Sequence, residues 1–311
     1  MKKKISIVSS CYNEEKNLPD FYQRCKQVLD KFPDYEYEFV VADNLSTDDS
    51  RAVLRRLAMA DNKFKVILNS NNFGHIRSPF NAFLAATGDA VMTLCSDLQE
   101  PPEVIEQFIR EWENGYKVVI GVRSGTKANV LVEQLRRLYY KLLAQMSGGE
   151  QIIPCFTGFG LYDRQFVEAV KLYHEPYPYF RGLVGEIGLK RLEVPFVQDK
   201  RRYGKTHNNL FTLYDMAMTG LVNHTKLPLR LAVLAGTLIG VCSFLAALVY
   251  FVLKLIWWNT FSLGLAPMVI GMFFLSGVQL LFVGIIGEYL GAIWTQVKNR
   301  PLVIEEERIN F

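Results

Sequence analysis

The chain has 311 residues, half of them hydrophobic, with a formal net charge of +4 and five cysteines. That length suits two domains or one large one, and so small a charge argues against a nucleic-acid partner. The cysteines form no CxxC pair, which excludes a disulfide framework or a zinc site and suits a reducing compartment.

The first segment, MKKKISIVSSCYNEE, starts basic like a signal peptide. Its apolar run is too short, however, and breaks at Asn13-Glu14-Glu15. It lacks an apolar core of ~7–15 residues, so it is not expected to direct export.

The next part alternates short β-rich runs with helix-patterned segments. Strands are predicted at 5–10, 37–43, 64–68, 90–94 and 117–122, and helices at 17–32, 49–60, 77–86 and 102–114. Pro101-Pro102 suits a helix entry, because proline is tolerated in the first turn. The rhythm implies an α/β fold with a mostly parallel sheet covered by helices. Neither GxxxxGK[ST] nor GxGxxG occurs, so no P-loop or dinucleotide fingerprint is supported.

Amphipathic helices are predicted over 128–147 and 208–225, either packed on the sheet or lying on a membrane surface. Residues 231–253 and 255–287 carry no charge. Each stretch exceeds the ~20 apolar residues that span a bilayer core. Lys200, Arg201, Arg202, Lys205, Lys226 and Arg230 precede the first stretch, Lys298 and Arg300 follow the second, and the connector holds only Lys254. The positive-inside rule then puts both flanks in the cytoplasm. Gly236-xxx-Gly240 and Gly287-xxx-Gly291 permit close helix approach, hence a homo-oligomer. The expected organisation is a cytosolic domain (1–207), a juxtamembrane amphipathic helix (208–228), two transmembrane helices within 229–291 (about 231–253 and 265–287) and a cytosolic tail (292–311).

Four polar clusters fall at predicted strand ends: Ser10–Glu15, Asp43–Asp49, Asn71–His75 and CSDLQEPPE at 95–103. Strand ends converge on one edge of a parallel sheet, so these clusters can share a crevice. Each also has a plain structural reading. Ser46 or Asp48 can cap a helix, Asn72-Phe73-Gly74 can be only a turn, and Glu14-Glu15 can be a solvated first turn.

Taken in order, Tyr12-Asn13-Glu14-Glu15, Asp43…Ser46-Thr47-Asp48, Asn72-Phe73-Gly74, Asp97-Leu98-Gln99-Glu100-Pro101-Pro102, Gly121-Val122-Arg123, Arg201-Arg202-Tyr203-Gly204-Lys205-Thr206 and the two apolar stretches resemble family 2 glycosyltransferases of GT-A fold. Within that family they resemble the membrane-anchored polyprenyl-phosphate glycosyltransferases, including dolichol-phosphate mannose synthases and bacterial undecaprenyl-phosphate sugar transferases. The resemblance implies a Rossmann-like mixed, mostly parallel sheet with a two-helix transmembrane anchor. It implies inverting transfer from a nucleotide-sugar, a UDP-sugar favoured, to a polyprenyl phosphate at the plasma membrane, with the catalytic domain and both termini cytoplasmic.

Residue by residue, the resemblance assigns Tyr12, Asn13, Glu14, Asp43, Ser96 and Asp97 to the donor, with Arg201 and Arg202 approaching its phosphates. Asp97 and Gln99 would hold Mg²⁺ or Mn²⁺. Arg123 would face the acceptor phosphate, joined by Arg137 and Lys141. Asp97 and Arg123 are the catalytic candidates. The basic run at 200–205 has a competing role on anionic lipid headgroups, and Arg137 and Lys141 are equally readable as the wet face of a helix.

Three positions depart from the family pattern. Cys95 stands where an acid is usual and is expected to face inward. Phe156-Thr157-Gly158-Phe159 lacks the acids of an Asp-x-Gly-Asp-Phe pattern, leaving Glu186 and Asp163 as fallback bases. Asn44 follows Asp43 where a second acid is common. These departures keep a second reading open, a degenerate partner subunit that binds nucleotide-sugar or lipid without turnover. A processive synthase is disfavoured because it needs more spans. A transporter is disfavoured because the predicted spans lack ionisable residues.

Overall fold

The computed structural model describes residues 2–125, 153, 156–173, 175, 177–199, 218, 222, 225–257 and 265–311. Two compact units divide the chain: Met1–Leu213 with Lys298–Phe311, and Tyr214–Val297. The predicted helix at 128–147 lies outside the described residues, and the one at 208–225 is described only at Met218, Val222 and Thr225.

The first unit is an eight-stranded sheet. Its strands are β1 (Lys4–Cys11), β2 (Glu36–Asp43), β3 (Phe64–Asn69), β4 (Ala90–Thr93), β5 (Val118–Gly125), β6 (Phe156–Asp163), β7 (Arg191–Val197) and β8 (Glu305–Ile309), in the order β7-β5-β6-β4-β1-β2-β3-β8. β1 pairs in parallel with β2 and β4, β2 with β3, and β5 with β7. β6 runs antiparallel between β4 and β5, and β8 antiparallel to β3. The order reverses beside β1, since β2 and β3 lie to one side and β4 to the other. A crevice outside the strand ends is expected at such a switch point.

Both faces are covered, and the period-two pattern of the strands divides the core. Ile5, Ile7, Phe39, Val41, Phe64 and Val66 join one cluster with α1 (Leu18–Leu29), α2 (Ser50–Ala60) and α4 (Val104–Glu113). Val8, Val40, Ala42, Ile67 and Val91 join the other, with α3 (Gly74–Ala85), α5 (Arg164–Lys171) and α6 (Phe180–Ile187). In α1, Leu18, Phe21, Cys25, Val28 and Leu29 are buried, a stripe at helical spacing with Pro19 in the first turn. Removing a buried aromatic such as Phe21 would cost about 3–5 kcal/mol.

Three strands were not anticipated from sequence: β6, β7 and β8. β6 pairs with both β4 and β5, and a Cβ on Gly160 would stand 2.8 Å from the Val119 carbonyl oxygen, so that pairing requires glycine there. The last of them is β8. The expected tail after 292 instead re-enters the sheet, with Glu305–Ile309 forming its edge strand. The paired acids of β8 meet basic residues of α2: Arg51 bonds Glu306 at 3.0 Å and Arg55 bonds Glu307 at 2.6 Å.

The second unit holds α7 (Leu227–Ile256) and α8 (Leu265–Val297). Among the described residues these two helices, over Leu227–Ile256 and Met268–Val297, are long and apolar enough to cross a membrane, with mean hydropathy 2.4 and 2.3 over their most apolar stretches. The most apolar stretch of each is wholly unburied. α8 continues past the predicted end at 287, and the Tyr289 hydroxyl donates to the Thr225 carbonyl at 2.6 Å.

Candidate active site

The loops after β1 and β2 lock together. The Asn13 N–H donates to Ser46 Oγ at 3.0 Å, and Asn13 Oδ1 accepts the Thr47 N–H at 2.8 Å. The Glu14 N–H donates to Ser50 Oγ at 2.9 Å, and the Glu15 N–H donates to Asp48 at 3.2 Å. Glu14 is buried and takes the Asn17 side-chain amide, while Tyr12 is half-buried. Asp43 is fully buried; it accepts Arg51 Nε at 2.7 Å and the Ser46 N–H at 3.2 Å. Asp43 thus braces the loop rather than presenting its carboxylate to solvent.

The loop after β4 is stitched to the same edge. The Leu94 N–H donates to the Val8 carbonyl at 3.0 Å, and Ser96 Oγ donates to the Ser10 carbonyl at 3.1 Å. Asp97 Oδ1 accepts the Gln99 N–H at 3.1 Å, closing a tight turn around Leu98. Asn13, Leu45 and Leu98 all have positive φ, at 59°, 63° and 59°. Non-glycine residues held there cost about 1–3 kcal/mol each, and such strain tends to gather at functional loops. Here it marks the ends of β1, β2 and β4.

Glu100 is the residue that sequence reasoning passed over. It is buried; Oε2 accepts the Cys95 N–H at 2.9 Å and Oε1 accepts the Thr157 hydroxyl at 2.9 Å. Burial raises its carboxyl pKa and the Asp97 charge adds to that, against the Cys95 N–H, the Thr157 hydroxyl and the Arg123 charge. Arg123 lies near the end of β5, in register with Phe196 of β7, close enough for its charge to act on both Cys95 and Glu100. The only earlier signal for Glu100 was its place in CSDLQEPP, an acid directly before two prolines.

Several expectations change. Cys95 is exposed, not inward-facing. Its thiol nonetheless sits among protein walls: desolvation first, then the charges of Glu100 and Asp97, raise its pKa well above the usual range. Asp163 pairs in register with Ala90, at the start of β4 and therefore at the opposite edge from Asp97. There it caps α5 through the Gln165 N–H at 3.0 Å and accepts Trp112 Nε1 at 2.8 Å, so it is no base for this site. Glu186 is exposed on α6. Phe156 and Phe159 are core residues in the two separate clusters, so acids at these positions would be buried. Arg137, Lys141, Arg201 and Arg202 lie outside the described residues. The residue before that last basic run is described: the Asp199 N–H donates to the Gln99 carbonyl at 3.0 Å.

Among the described residues no group of three His, Cys, Asp or Glu side chains forms a ready metal cage. One carboxylate and one amide oxygen, Asp97 and Gln99, still fit a hard cation that completes its shell with water and substrate phosphates, the usual arrangement for Mg²⁺. The Cys95 thiol is a poor ligand for such an ion.

A mixed, mostly parallel sheet with its polar loops gathered at the β1/β4 reversal, followed by two long apolar helices, is a GT-A frame with a candidate membrane anchor. Residues 6–171 match the family described as Glycosyl transferase family 2, and the chain belongs to that family. It is 36% identical over 304 residues to an uncharacterized glycosyltransferase, YkcC, of Bacillus subtilis, covering 97% of this chain and 93% of that one. It is 31% identical over 302 residues to the SfII prophage-derived bactoprenol glucosyl transferase of Shigella flexneri, covering 97% of each. It is 30% identical over 305 residues to an undecaprenyl-phosphate 4-deoxy-4-formamido-L-arabinose transferase of Photorhabdus laumondii, covering 96% of this chain and 92% of that one. Among solved structures, mannosyl-3-phosphoglycerate synthase of Rubrobacter xylanophilus shares the fold with a TM-score of 0.50 at 14% identity, over 73% of this chain and 74% of that one.

Proposed function

We propose that this glycosyltransferase moves a sugar from a nucleotide-sugar, a UDP-sugar favoured, to a polyprenyl phosphate such as undecaprenyl phosphate, with inversion. The product is a lipid-linked monosaccharide for cell-envelope glycans. The observation that carries the proposal is the position of Asp97: it follows β4 at the switch point, beside the loop after β1, in a chain with two unburied apolar helices. The names of the Shigella and Photorhabdus relatives support the acceptor class.

The nucleoside end of the donor lies against Tyr12, Asn13 and Glu14, with Asp43 bracing the loop above it. Ser96, Asp97 and Gln99 face the diphosphate. Arg201 and Arg202 approach it from the sequence that follows Asp199, and the Asp199–Gln99 bond supports that approach. A divalent cation, Mg²⁺ or Mn²⁺, on Asp97 and Gln99 would neutralise the departing diphosphate. Arg123 orients the acceptor phosphate, with Arg137 and Lys141 as further candidates; guanidinium suits it because it bonds phosphate bidentately. The lipid phosphate oxygen attacks the anomeric carbon as the bond to the diphosphate breaks. A phosphate with a second pKa near ~6 is already an anion at neutral pH. It therefore needs no protein base, which is consistent with Phe156 and Phe159 in the core. Alignment and charge stabilisation carry the step.

The proposed location is the plasma membrane, with the catalytic domain and both termini cytoplasmic. Both flanks of the apolar hairpin belong to one folded unit, which supports a single side for them. Association through the glycine-bearing helices is proposed as well.

The test is transfer of label from a panel of UDP- and GDP-sugars to undecaprenyl phosphate by the purified full chain with Mg²⁺ or Mn²⁺, with Asp97→Ala alongside. Label entering the lipid phase from one donor, and lost in the variant, supports the proposal. Nucleotide binding with no transfer from any donor would favour a non-catalytic partner, the reading that Cys95 motivates.

A further inference from the structure

The loops at the nucleotide end converge on one guanidinium. Arg51, in the first turn of α2, makes three bonds. Nε donates to Asp43 Oδ2 at 2.7 Å, Nη2 to the Asn69 carbonyl at 2.6 Å, and Nη1 to Glu306 Oε2 at 3.0 Å. The first arm reaches the loop after β1, because Asp43 also takes the Ser46 N–H and Ser46 Oγ takes the Asn13 N–H. The second arm fixes the end of β3. There the Asn69 amide donates to Ser78 Oγ at 2.9 Å and to Asn44 Oδ1 at 3.4 Å, and Asn44 Oδ1 accepts the Phe73 N–H at 2.9 Å. The third arm belongs to β8, the segment that follows α8. Its approach runs along the same edge: the Ile304 carbonyl accepts the Ser70 N–H at 3.0 Å, and the Pro301 carbonyl accepts Arg77 Nη2 at 2.6 Å.

A guanidinium is suited to this place, since its planar fork serves three acceptors in fixed directions and lysine cannot. Asp43 is fully buried, so its charge needs that partner. Glu306 is half-exposed, and β8 keeps its ladder to β3, its Arg55–Glu307 pair and its Asn310 contacts without it. Changing Glu306 therefore perturbs the guanidinium without undocking the strand.

We propose that Arg51, braced by Glu306 of the returning strand, is a positioning residue for nucleotide binding that acts through Asp43 and Asn69. The inference rests on the donor placement proposed above. It makes the segment leaving the apolar hairpin part of the framework of the donor site.

The test measures UDP and GDP affinity of the full chain in detergent with Mn²⁺, for wild type, Glu306→Lys and Arg51→Lys, together with the KM for undecaprenyl phosphate and the nucleotide-free melting temperature. Glu306→Lys is expected to weaken nucleotide binding roughly 2- to 30-fold, the range for positions that act through an intermediary. Arg51→Lys is expected to weaken it more. For Glu306→Lys the lipid KM stays unchanged and the melting temperature stays within about 3 °C. Wild-type affinity in both variants overturns the inference while leaving the donor reading intact. So does a parallel worsening of donor and acceptor constants with a lower melting temperature, which marks plain structural support. A wild-type chain that binds neither nucleotide overturns the donor reading and this inference with it.

Discussion

The Thr157 hydroxyl donates to Glu100 Oε1 at 2.9 Å while the Cys95 N–H donates to Glu100 Oε2, so one buried carboxylate ties β6 to the loop that carries Asp97. β6 thus supports the site by holding backbone, although it offers no acid of its own.

Replacing Glu100 by Ala should leave the Cys95 N–H without its acceptor, at a cost of about 1–3 kcal/mol for an unsatisfied buried group. Glu100→Gln should be tolerated, because its oxygen can accept the Cys95 N–H while its amide meets Thr157. The carboxyl pKa of Glu100 is raised by burial. Its folded form therefore holds the proton more tightly than the unfolded chain. That contribution is present at low pH and is lost as pH rises through the raised pKa. Melting curves against pH should show the wild type losing stability relative to Glu100→Gln toward neutral pH. Parallel curves for the two proteins would contradict this assignment.

Glu38 on β2 behaves in the opposite sense. Burial alone would raise its pKa. Lys65 at 2.8 Å, the Ser6 hydroxyl at 2.7 Å and the Thr87 N–H at 2.7 Å overcome that and bring it from 4.5 down to about 2. The stabilisation is present above the unfolded pKa and is lost as pH falls from about 4.5 to about 2. It amounts to about 3 kcal/mol at neutral pH. Acid unfolding of Glu38→Gln should show a flatter pH dependence over that window. An acid limb identical to wild type would mean that Glu38 is not paired in solution.

Arg123→Lys should raise the KM for lipid acceptor by about tenfold while changing donor affinity little, since lysine keeps the charge but not the bidentate fork. Steady-state kinetics with each substrate varied in turn separates the two. A loss confined to the donor would move Arg123 to the diphosphate side.

Much of the frame was legible because local pattern and tertiary role agree there. β1 to β4 alternate cleanly between the two core clusters, and CSDLQE sits at a strand end as its apolar lead-in implies. β6 was missed because Gly158 and Gly160 weaken any strand signal, while the fold needs Gly160 for close pairing. β8 was missed because Glu305-Glu306-Glu307-Arg308 reads as a solvated run; it becomes a strand only beside β3 and the arginines of α2. Side-chain direction was the other gap. Cys95 and Phe156 both stand where an acid is usual, yet the first is exposed and the second is in the core.

That difference makes Cys95→Asp the informative restoration. The exposed position lets an added carboxylate join Asp97 at the candidate cation site, and oxygen suits Mg²⁺ or Mn²⁺ where sulfur does not. The same carboxylate would crowd Glu100 and Asp97, and like charges so close raise one another's pKa. Without metal the variant should therefore melt lower than wild type, and with metal it should recover more. Its activity should also saturate at lower Mg²⁺ concentration. Measuring melting temperature and turnover across a metal titration checks both effects. An unchanged metal midpoint would place residue 95 away from the cation and leave Asp97 as the carboxylate that holds it.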